Sequence, residues 1–400
     1  MASRARMLMI SPAAPWPATT GGLVRIAGLL DQMARQFDLT LVSPRRTDQV
    51  VPHGLPARCV FAEMPDAGRV QRVVSMLDPS RPFHAAVYSR PEIGVLVRRA
   101  LASERYDVVY SHFIYGMEYL ADSPVPVIID QQNVDRVYWQ NKADHSTFPV
   151  NVFAAWNTRR TIAYETRFLP RIWAYVSVSD EDREQTRSYA GQAVEHFWVA
   201  PNGVDTARFA PGRGAVLSSP AITLGYLGSM DLQMNVEAVL RFGTELLPGI
   251  RARLSGVEVT FLVIGRNPSA SVRSLAHKTP GMRLSGTVDD VVPWLHQVDV
   301  VVCPLRIGAG TKLKVAEAMS CGLPVVGSSL AFAGLPGRSG EHYVRVDDDA
   351  SFVDAVCQLA QTPTMRRMIG RNARLLAETH LEWDAIGRHL ADDINGALAR

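Results

Sequence analysis

Short apolar runs alternate with amphipathic stretches along most of this 400-residue chain. In the first half, five apolar runs predict buried strands at residues 7–10, 39–42, 107–110, 125–130 and 173–178. Apolar side chains at helical spacing predict helices at residues 23–36 and 91–105, whereas residues 44–81 are predicted to be mostly loop. The order strand, helix, strand is that of a βαβ unit. It predicts a parallel sheet with ligands at the carboxyl ends of the strands.

The second half repeats this alternation after a proline-, glycine- and serine-rich linker at residues 209–220. Strands are predicted at residues 223–227, 258–264, 283–285 and 298–303, and helices at residues 235–247, 312–320 and 383–399. A chain of this length is too long for one compact core. The sequence therefore predicts two α/β domains, residues 1–205 and residues 206–382.

A glycine-rich loop in the segment PLRIGAGTKLKVAEAMSCG joins an apolar strand to a helix and contains Gly308 and Gly310. Free backbone N–H groups and the helix dipole favour an anion at such a junction. Lys312 and Lys314, two of only four lysines in the chain, follow the glycines. Either the helix carries two solvated lysines, or the loop binds a phosphate-bearing ligand while Glu317 binds sugar hydroxyls.

Two further sites are candidates because they lie at the predicted ligand ends of strands, and one segment is a candidate because of its composition. Gly21 and Gly22 allow a phosphate or sugar to approach the backbone closely, although they also suit a simple helix start. His112 comes just after a predicted strand, where a structural histidine is the commoner case. Residues 135–170 are aromatic and basic, and they predict either a helical lid over an acceptor pocket or an ordinary amphipathic face.

Composition excludes several classes of protein. The chain is 47% apolar and 20% charged with a net charge of +3, and neither half is strongly basic, so nucleic-acid binding is not indicated. The four cysteines lack metal-ligand spacing and are expected to be reduced. No apolar run is long enough for a signal peptide or a membrane span, so we expect a cytoplasmic protein.

The motifs PNGVD, LGSM, VIGRNP, SGTVDDVVPWL and PLRIGAGTKLKVAEAMSCGLPVV, in this order, resemble retaining glycosyltransferase family 4. The chain is most similar to bacterial members that assemble exopolysaccharides and surface glycans, and SPAAPWPATTGG and DQQNVD fit the same subgroup. The resemblance implies an α/β protein with the GT-B fold: two Rossmann-like domains facing across a cleft, with the helix of residues 383–400 returning to the first domain.

The resemblance also implies a role for each matching residue. Glu317 would bind the ribose hydroxyls of a nucleotide sugar, and the backbone of Thr311, Lys312 and Leu313 would hold the diphosphate. Val288 would lie beside the base, and His112 would complete the site from the first domain. The remaining donor-binding positions are glycines and polar residues at strand ends: Gly21, Gly22, Gly228, Ser229, Arg266, Gly308 and Gly310.

Two departures from the family pattern stand out. Ala309 occupies the position, eight residues before Glu317, where many members have a first acid. The usual Arg/Lys pair after the first strand of the second domain is absent, so Arg266, Arg306 or Lys312 must supply positive charge. Because side chains two apart on a helix point to different sides, we predict that Lys312 binds phosphate and Lys314 faces a flanking or inter-domain surface.

The resemblance implies a retaining reaction on a single face of the sugar, with no metal and no other cofactor. The acceptor would be a hydroxyl of a glycan, a lipid-linked glycan or a natural product, and peripheral membrane contact would accompany a lipid-linked acceptor. Two alternatives remain from the sequence. One is a sugar-nucleotide epimerase or hydrolase on the same scaffold. The other is a non-catalytic sugar-nucleotide-binding subunit.

Overall fold

The computed structural model describes residues 4–55, 57–64, 68–212, 221–307 and 310–400, without the side chains of residues 69–71. The chain divides into two compact units. The first comprises Met1–Pro201 with Ile386–Arg400, and the second comprises Asn202–Ala385. Each unit is a parallel α/β sheet with its own apolar core.

The first unit contains seven parallel strands among its described residues, in the order β3-β2-β1-β4-β5-β6-β7. Its strands are β1 (Arg6–Ile10), β2 (Asp38–Arg45), β3 (Arg58–Glu63), β4 (Val108–His112), β5 (Val127–Gln131), β6 (Ala174–Ser177) and β7 (His196–Val199). Its helices are α1 (Gly21–Gln36), α2 (Arg69–Leu77), α3 (Phe83–Tyr88), α4 (Pro91–Ser103), α5 (Met117–Leu120), α6 (Asp135–His145), α7 (Val150–Phe168) and α8 (Asp180–Ala190).

Strand order reverses between β1 and β4, which are hydrogen-bonded neighbours although four helices and two strands separate them in sequence. In open parallel sheets, ligands bind in the crevice at this reversal, outside the carboxyl ends of the strands. Both strands are almost entirely buried, because their apolar runs are covered by helices on both faces. The residues that follow β1 and β4 are therefore placed at a ligand-binding edge.

The second unit contains six parallel strands in its described part, in the order β10-β9-β8-β11-β12-β13. They are β8 (Ala221–Leu227), β9 (Glu258–Ile264), β10 (Met282–Leu284), β11 (Val300–Cys303), β12 (Val325–Gly327) and β13 (Val344–Arg345). The helices are α9 (Gln233–Arg241), α10 (Leu247–Arg253), α11 (Ala270–Lys278), α12 (Val292–Leu295), α13 (Leu313–Ser320), α14 (Asp349–Gln361), α15 (Pro363–Leu376) and α16 (Trp383–Leu398), the last of which runs into the first unit. The strand order of this second sheet reverses between β8 and β11.

Two local predictions from the sequence need correction. Residues 44–81 are loop-rich as predicted, but they also hold β3 and α2, which the sequence did not predict. The helix predicted at residues 235–247 is interrupted by a π-helical turn, Phe242–Leu246, just before Pro248 at the start of α10. Proline has no backbone N–H to continue the helical ladder, so the hydrogen-bonding pattern changes there.

Candidate functional site

The glycine loop of the second unit leads from β11 to α13, at the reversal of the sheet. Gly310 has a φ of +70°, a left-handed conformation that favours glycine. Lys312 is the residue before α13, with extended backbone at φ −95° and ψ 92°. Leu313 is the first helical residue, so its N–H group belongs to the unpaired N-terminal turn that can bind an anion. Gly308, one of the predicted donor-binding residues, lies outside the described residues.

Lys314 points toward the end of β8 and not toward a flanking surface. Its ammonium Nζ donates hydrogen bonds to Tyr226 Oη at 2.9 Å and to Asn235 Oδ1 at 2.5 Å, and it lies 4.5 Å from the centre of the Tyr226 ring. No described carboxylate forms an ion pair with it. Burial lowers the pKa of Lys314. The sequence prediction for this side chain is therefore wrong.

Gly228, at the end of β8, lies directly against this ammonium. A Cβ added to Gly228 would lie 2.8 Å from Asn235 Nδ2 and 2.9 Å from Lys314 Nζ. Across the sheet, a Cβ on Gly265 would lie 1.9 Å from the Gly228 carbonyl oxygen. The two glycines let the ends of β8 and β9 approach closely, and they keep the space beside the lysine free of side chains.

Lys312 is almost completely buried, and its Nζ donates a hydrogen bond to the Gly310 carbonyl oxygen. Burial is the main reason that its pKa falls to about 8, and the charge of Lys314 lowers it further. Next to it, the hydroxyl of Thr311 is buried and makes no hydrogen bond with any described residue. Two lysines and a hydroxyl without a partner among the described residues thus lie within four residues at the junction of the loop and α13.

Glu317 lies one helical turn after Lys314, and residues three apart share one side of a helix. Burial raises the pKa of Glu317 to about 7, against the opposing charges of Arg208 and Lys314. Its carboxylate makes no hydrogen bond or ion pair with the described residues. A carboxylate in this state is available to accept hydrogen bonds from ligand hydroxyls.

The other predicted donor-binding residues of this unit lie at the ends of β8, β9 and β10. Arg266 forms an ion pair with Asp231 at 3.1 Å and also donates to Ser229 Oγ at 3.2 Å. Its Nε is therefore bound to a carboxylate, and this ion pair gives Arg266 a structural role. Val288 is partly exposed in the loop after β10. Arg306 forms ion pairs with Asp349 at 3.5 Å and with Glu245 at 3.7 Å.

In the first unit, His112 is the last residue of β4 and is completely buried, not just beyond the strand as predicted. Its Nδ1 lies 2.8 Å from Asp130 Oδ2, and its Nε2 is buried without a hydrogen-bond partner among the described residues. Asp130 also accepts hydrogen bonds from the buried guanidinium of Arg25, with distances from 2.5 to 3.1 Å. Burial raises the pKa of Asp130, but the charge of Arg25 and the bond to His112 outweigh it and lower this pKa to about 2.

Sequence reasoning missed Arg25 and Asp130 as partners of His112. Arg25 occupies the buried face of an amphipathic helix, and a charged residue on an apolar face is the signal that identifies it. Asp130 ends the apolar run of β5 and lies beside His112 in the register of the two strands. The sequence identifies it only as the first residue of the DQQNVD motif.

A pocket of about 340 Å³ lies at the β1–β4 reversal of the first unit. It is lined by Pro12, Ala13, Thr20, Gly22, Leu23, Ile26, His84, Tyr88, Phe113, Tyr115, Asn133 and Asp135. Phe113 follows His112 with a φ of +68°, a strained conformation for a side chain of this size, and strain of this kind clusters at functional sites. A smaller pocket beside it is lined by His112 together with Pro12, Tyr88 and Tyr115.

Gly21 and Gly22 begin α1 and do not form a separate loop. Thr20 caps this helix by accepting a hydrogen bond from the Leu23 N–H group. A Cβ on Gly22 would lie 2.9 Å from Gln132 Oε1, so the glycine permits a close approach of the β5 end to the helix. The aromatic segment at 135–170 forms α6 and α7; its Trp139 is buried and only Asp135 lines the pocket.

Among the residues that the structure describes, no helix is long and apolar enough to cross a membrane. All four cysteines are free thiols.

Comparisons with known proteins agree with the motifs. Residues 20–208 match the model of Glycosyltransferase Family 4, and residues 221–362 match that of Glycosyl transferases group 1. The chain is 31% identical over 241 residues to a phosphatidyl-myo-inositol mannosyltransferase of Propionibacterium freudenreichii subsp. shermanii, covering 56% of this chain and 58% of the relative. The match thus spans little more than half of that relative.

A second relative is aligned over more of its length. The D-inositol 3-phosphate glycosyltransferase of Pseudarthrobacter chlorophenolicus is 22% identical over 376 residues, covering 88% of this chain and 84% of the relative. Among solved structures, the sucrose-phosphate synthase of Thermosynechococcus elongatus superposes with a TM-score of 0.73 at 14% identity, covering 99% of this chain and 100% of that one. The chain thus carries a glycosyltransferase family 4 domain and a glycosyl transferases group 1 domain on the GT-B fold.

Proposed function

We propose that the protein is a retaining glycosyltransferase that moves a sugar from a nucleotide-diphosphate donor to an acceptor hydroxyl. The observation that carries the proposal is the arrangement of Lys314 and Glu317 on α13. A partly buried ammonium with only neutral hydrogen-bonding partners faces the end of β8, and a carboxylate free of protein partners lies one turn later. The ammonium suits a diphosphate, and the carboxylate suits ribose hydroxyls.

Lys312 and Lys314 both contribute to binding of the donor. Both ammonium groups lower the pKa of the buried Cys303 thiol at the end of β11, against the larger effect of burial. Lys312 and Lys314 therefore act on the same region despite their different backbone conformations. We propose that they, with the backbone of Thr311 and Leu313, replace the Arg/Lys pair that this chain lacks. Arg266 contributes less, because Asp231 already neutralises it.

Retention follows, in this proposal, from reaction on one face of the donor sugar. The bond between the anomeric carbon and the diphosphate oxygen breaks, and its electron pair leaves with the diphosphate. The acceptor oxygen bonds to the same face, and its proton passes to the departing diphosphate oxygen. The protein positions both substrates and neutralises the developing phosphate charge through its lysines.

This chemistry includes no metal cofactor, because lysines supply the positive charge. Turnover should accordingly be unchanged by EDTA. A loss of turnover on chelation that added Mg²⁺ or Mn²⁺ restores would contradict this part of the proposal.

A screen of nucleoside diphosphates and their sugars by thermal shift tests donor binding. A ligand at a hundred times its dissociation constant should stabilise the protein by about 2.7 kcal/mol. The sugar nucleotide with the largest shift is then incubated without acceptor and with candidate acceptors, and NMR determines the anomeric configuration of the product. Inverted product would disprove retention. Binding without hydrolysis or transfer would favour a non-catalytic sugar-nucleotide-binding subunit, and an epimerised donor would favour the epimerase alternative.

We also propose peripheral contact with a membrane through the first unit. Large apolar side chains are exposed on α2, at the turn between α6 and α7 and in the first turn of α7: Val73, Val74, Leu77, Phe148 and Val152. These elements are neighbours, since Arg160 of α7 donates hydrogen bonds to the carbonyl oxygens of Asp78 and Arg81. Sedimentation with anionic vesicles should be reduced by changing Phe148 and Leu77 to Ser. Equal sedimentation of the variant and the original chain would exclude this surface.

A further inference from the structure

The pocket of the first unit provides a second binding site with a chemistry unlike that of the lysine loop. We propose that it holds a neutral, hydroxyl-bearing ring of the acceptor and discriminates against a phosphorylated one. This inference rests on the proposed function, because it assigns the substrate class of the acceptor. A volume of about 340 Å³ is large enough for one ring and lies within the range of small-molecule sites.

A pair of polar groups forms one end of the pocket. Tyr115 donates a hydrogen bond of 2.7 Å to Asp135 Oδ2, which fixes the carboxylate in place. Asp135 Oδ1 lies 3.7 Å from His84 Nδ1, and that nitrogen is buried without a hydrogen bond to any described residue. The two atoms are too far apart to satisfy each other. A ligand hydroxyl placed between them donates to the carboxylate and accepts from the imidazole, within ordinary hydrogen-bond distances.

Aromatic rings form another wall. Tyr115 lies between the rings of Phe113 and Tyr88, nearly parallel to both, with interplanar angles of 9° and 16°. All three side chains line the pocket, and Tyr88 is almost half exposed. Leu23 and Ile26 of α1 add aliphatic surface. Apolar and aromatic walls with one polar pair are suited to a ring that carries hydroxyl groups.

Charge provides the discrimination. No lysine or arginine lines this pocket in the part of the chain that the structure describes. Arg25 and Arg136 are adjacent in sequence to lining residues, but they bind the buried carboxylates of Asp130 and Glu165. A phosphate group in the pocket would meet the Asp135 carboxylate without a lysine or arginine to offset it, and like charges at short distance are unfavourable.

Isothermal titration of the full-length protein with 4-nitrophenyl glucoside and with its 6-phosphate tests the inference. These probes share the ring, the hydroxyl groups and the aromatic group, and they differ in charge. We expect the neutral probe to bind at least tenfold more tightly. Equal or tighter binding of the phosphorylated probe, or no saturable binding of either, would overturn the inference.

Three substitutions locate the binding. Asp135→Asn should weaken binding of the neutral probe about tenfold, whereas the matched control Asp144→Asn, nine residues later on the same helix, should not. Leu23→Lys adds a cation to the pocket and should raise the relative affinity for the phosphorylated probe. Melting temperatures establish that each variant is folded. An unchanged preference in the folded Leu23→Lys protein would show that the probes bind elsewhere and would overturn the assignment.

Donor binding separates failure of this inference from failure of the proposed function. A sugar nucleotide should stabilise Asp135→Asn as much as it stabilises the original chain, because the lysine loop is untouched. If no sugar nucleotide binds either protein, the proposed function is wrong. If donor binding is intact and phosphorylated probes are preferred, only the acceptor class is wrong.

Discussion

The ammonium nitrogen of Lys314 lies 2.9 Å from the hydroxyl oxygen of Tyr226, at the end of the first strand of the second unit. The sequence placed this lysine on a flanking surface, because side chains two apart on a helix diverge. That reasoning needs both lysines to be helical, and Lys312 precedes the helix with an extended backbone. The helical argument therefore does not separate the side chains of these two lysines.

Replacing Lys314 by Met should lower the affinity for a sugar nucleotide by tenfold or more, since a charge-assisted contact worth roughly 1.5–3 kcal/mol is lost. Titration calorimetry with the sugar nucleotide identified by thermal shift measures this affinity. Lys278→Met, on an exposed part of α11, is the matched control and should bind normally. Unchanged affinity in the Lys314 variant would mean that its ammonium serves only Tyr226 and Asn235.

Lys312→Met should lower turnover more than donor affinity, by a factor on the order of a hundred, if this ammonium stabilises the departing diphosphate. Steady-state kinetics with one donor separates kcat from KM. A variant that raises KM and leaves kcat unchanged would assign Lys312 to ground-state binding alone.

Gly228→Ala tests the space beside Lys314. The added methyl group would lie within 3 Å of both Asn235 Nδ2 and Lys314 Nζ, so the lysine must move. We expect donor affinity to fall about tenfold and stability to fall by about 1–3 kcal/mol. Gly249→Ala is the control, because its methyl group would make only ordinary contact, at 3.5 Å from Val353. Equal donor affinity in the two variants would show that the ligand does not use this space.

The sequence predicted the two α/β sheets and the glycine loop between β11 and α13. Apolar strand runs and glycines in loops are local signals that can be recognised without knowing the fold. The sequence missed the pocket of about 340 Å³ in the first unit because that pocket is assembled from distant pieces of the chain. His84 and Tyr88 lie on α3, a six-residue helix too short to show periodicity, for which the sequence made no prediction. Asp135 comes from the first residue of α6. Only the parallel order of β1, β4 and β5 brings these residues to one edge.

Asp130→Asn should destabilise the first unit by roughly 3 kcal/mol, because it leaves the buried Arg25 guanidinium without its carboxylate partner. The pKa of Asp130 is lowered from 3.8 to about 2 in the folded state. Its carboxylate therefore stabilises the fold above pH 4, and this contribution is lost as the pH falls toward 2. Urea unfolding at pH 7 and at pH 3 measures both effects. The difference in the free energy of unfolding between the variant and the original chain should be smaller at pH 3. A constant difference would assign the loss to packing.

Glu317→Gln should make the protein more stable and its donor binding weaker, a combination that a purely structural residue does not produce. Burial raises the pKa of Glu317 from 4.5 to about 7 in the folded state. The stabilising effect of the neutral carboxyl is therefore fully present below pH 4.5 and is lost as the pH rises through 7. Glutamine keeps the side chain neutral, so the variant should exceed the original in stability by about 1–3 kcal/mol at pH 8, and by little at pH 4.5.

Donor affinity should show the opposite pH dependence, because ribose hydroxyls donate to the ionised carboxylate. In the original chain, affinity should rise between pH 5.5 and 7.5, below the pKa of about 8 at which half of Lys312 is deprotonated. A sugar nucleotide, whose phosphates carry constant charge over this range, is the suitable ligand. The Glu317→Gln variant should show a flat profile, and the exposed Glu258→Gln should behave like the original. A rising profile that persists in Glu317→Gln would place the titrating group elsewhere and remove Glu317 from the donor site.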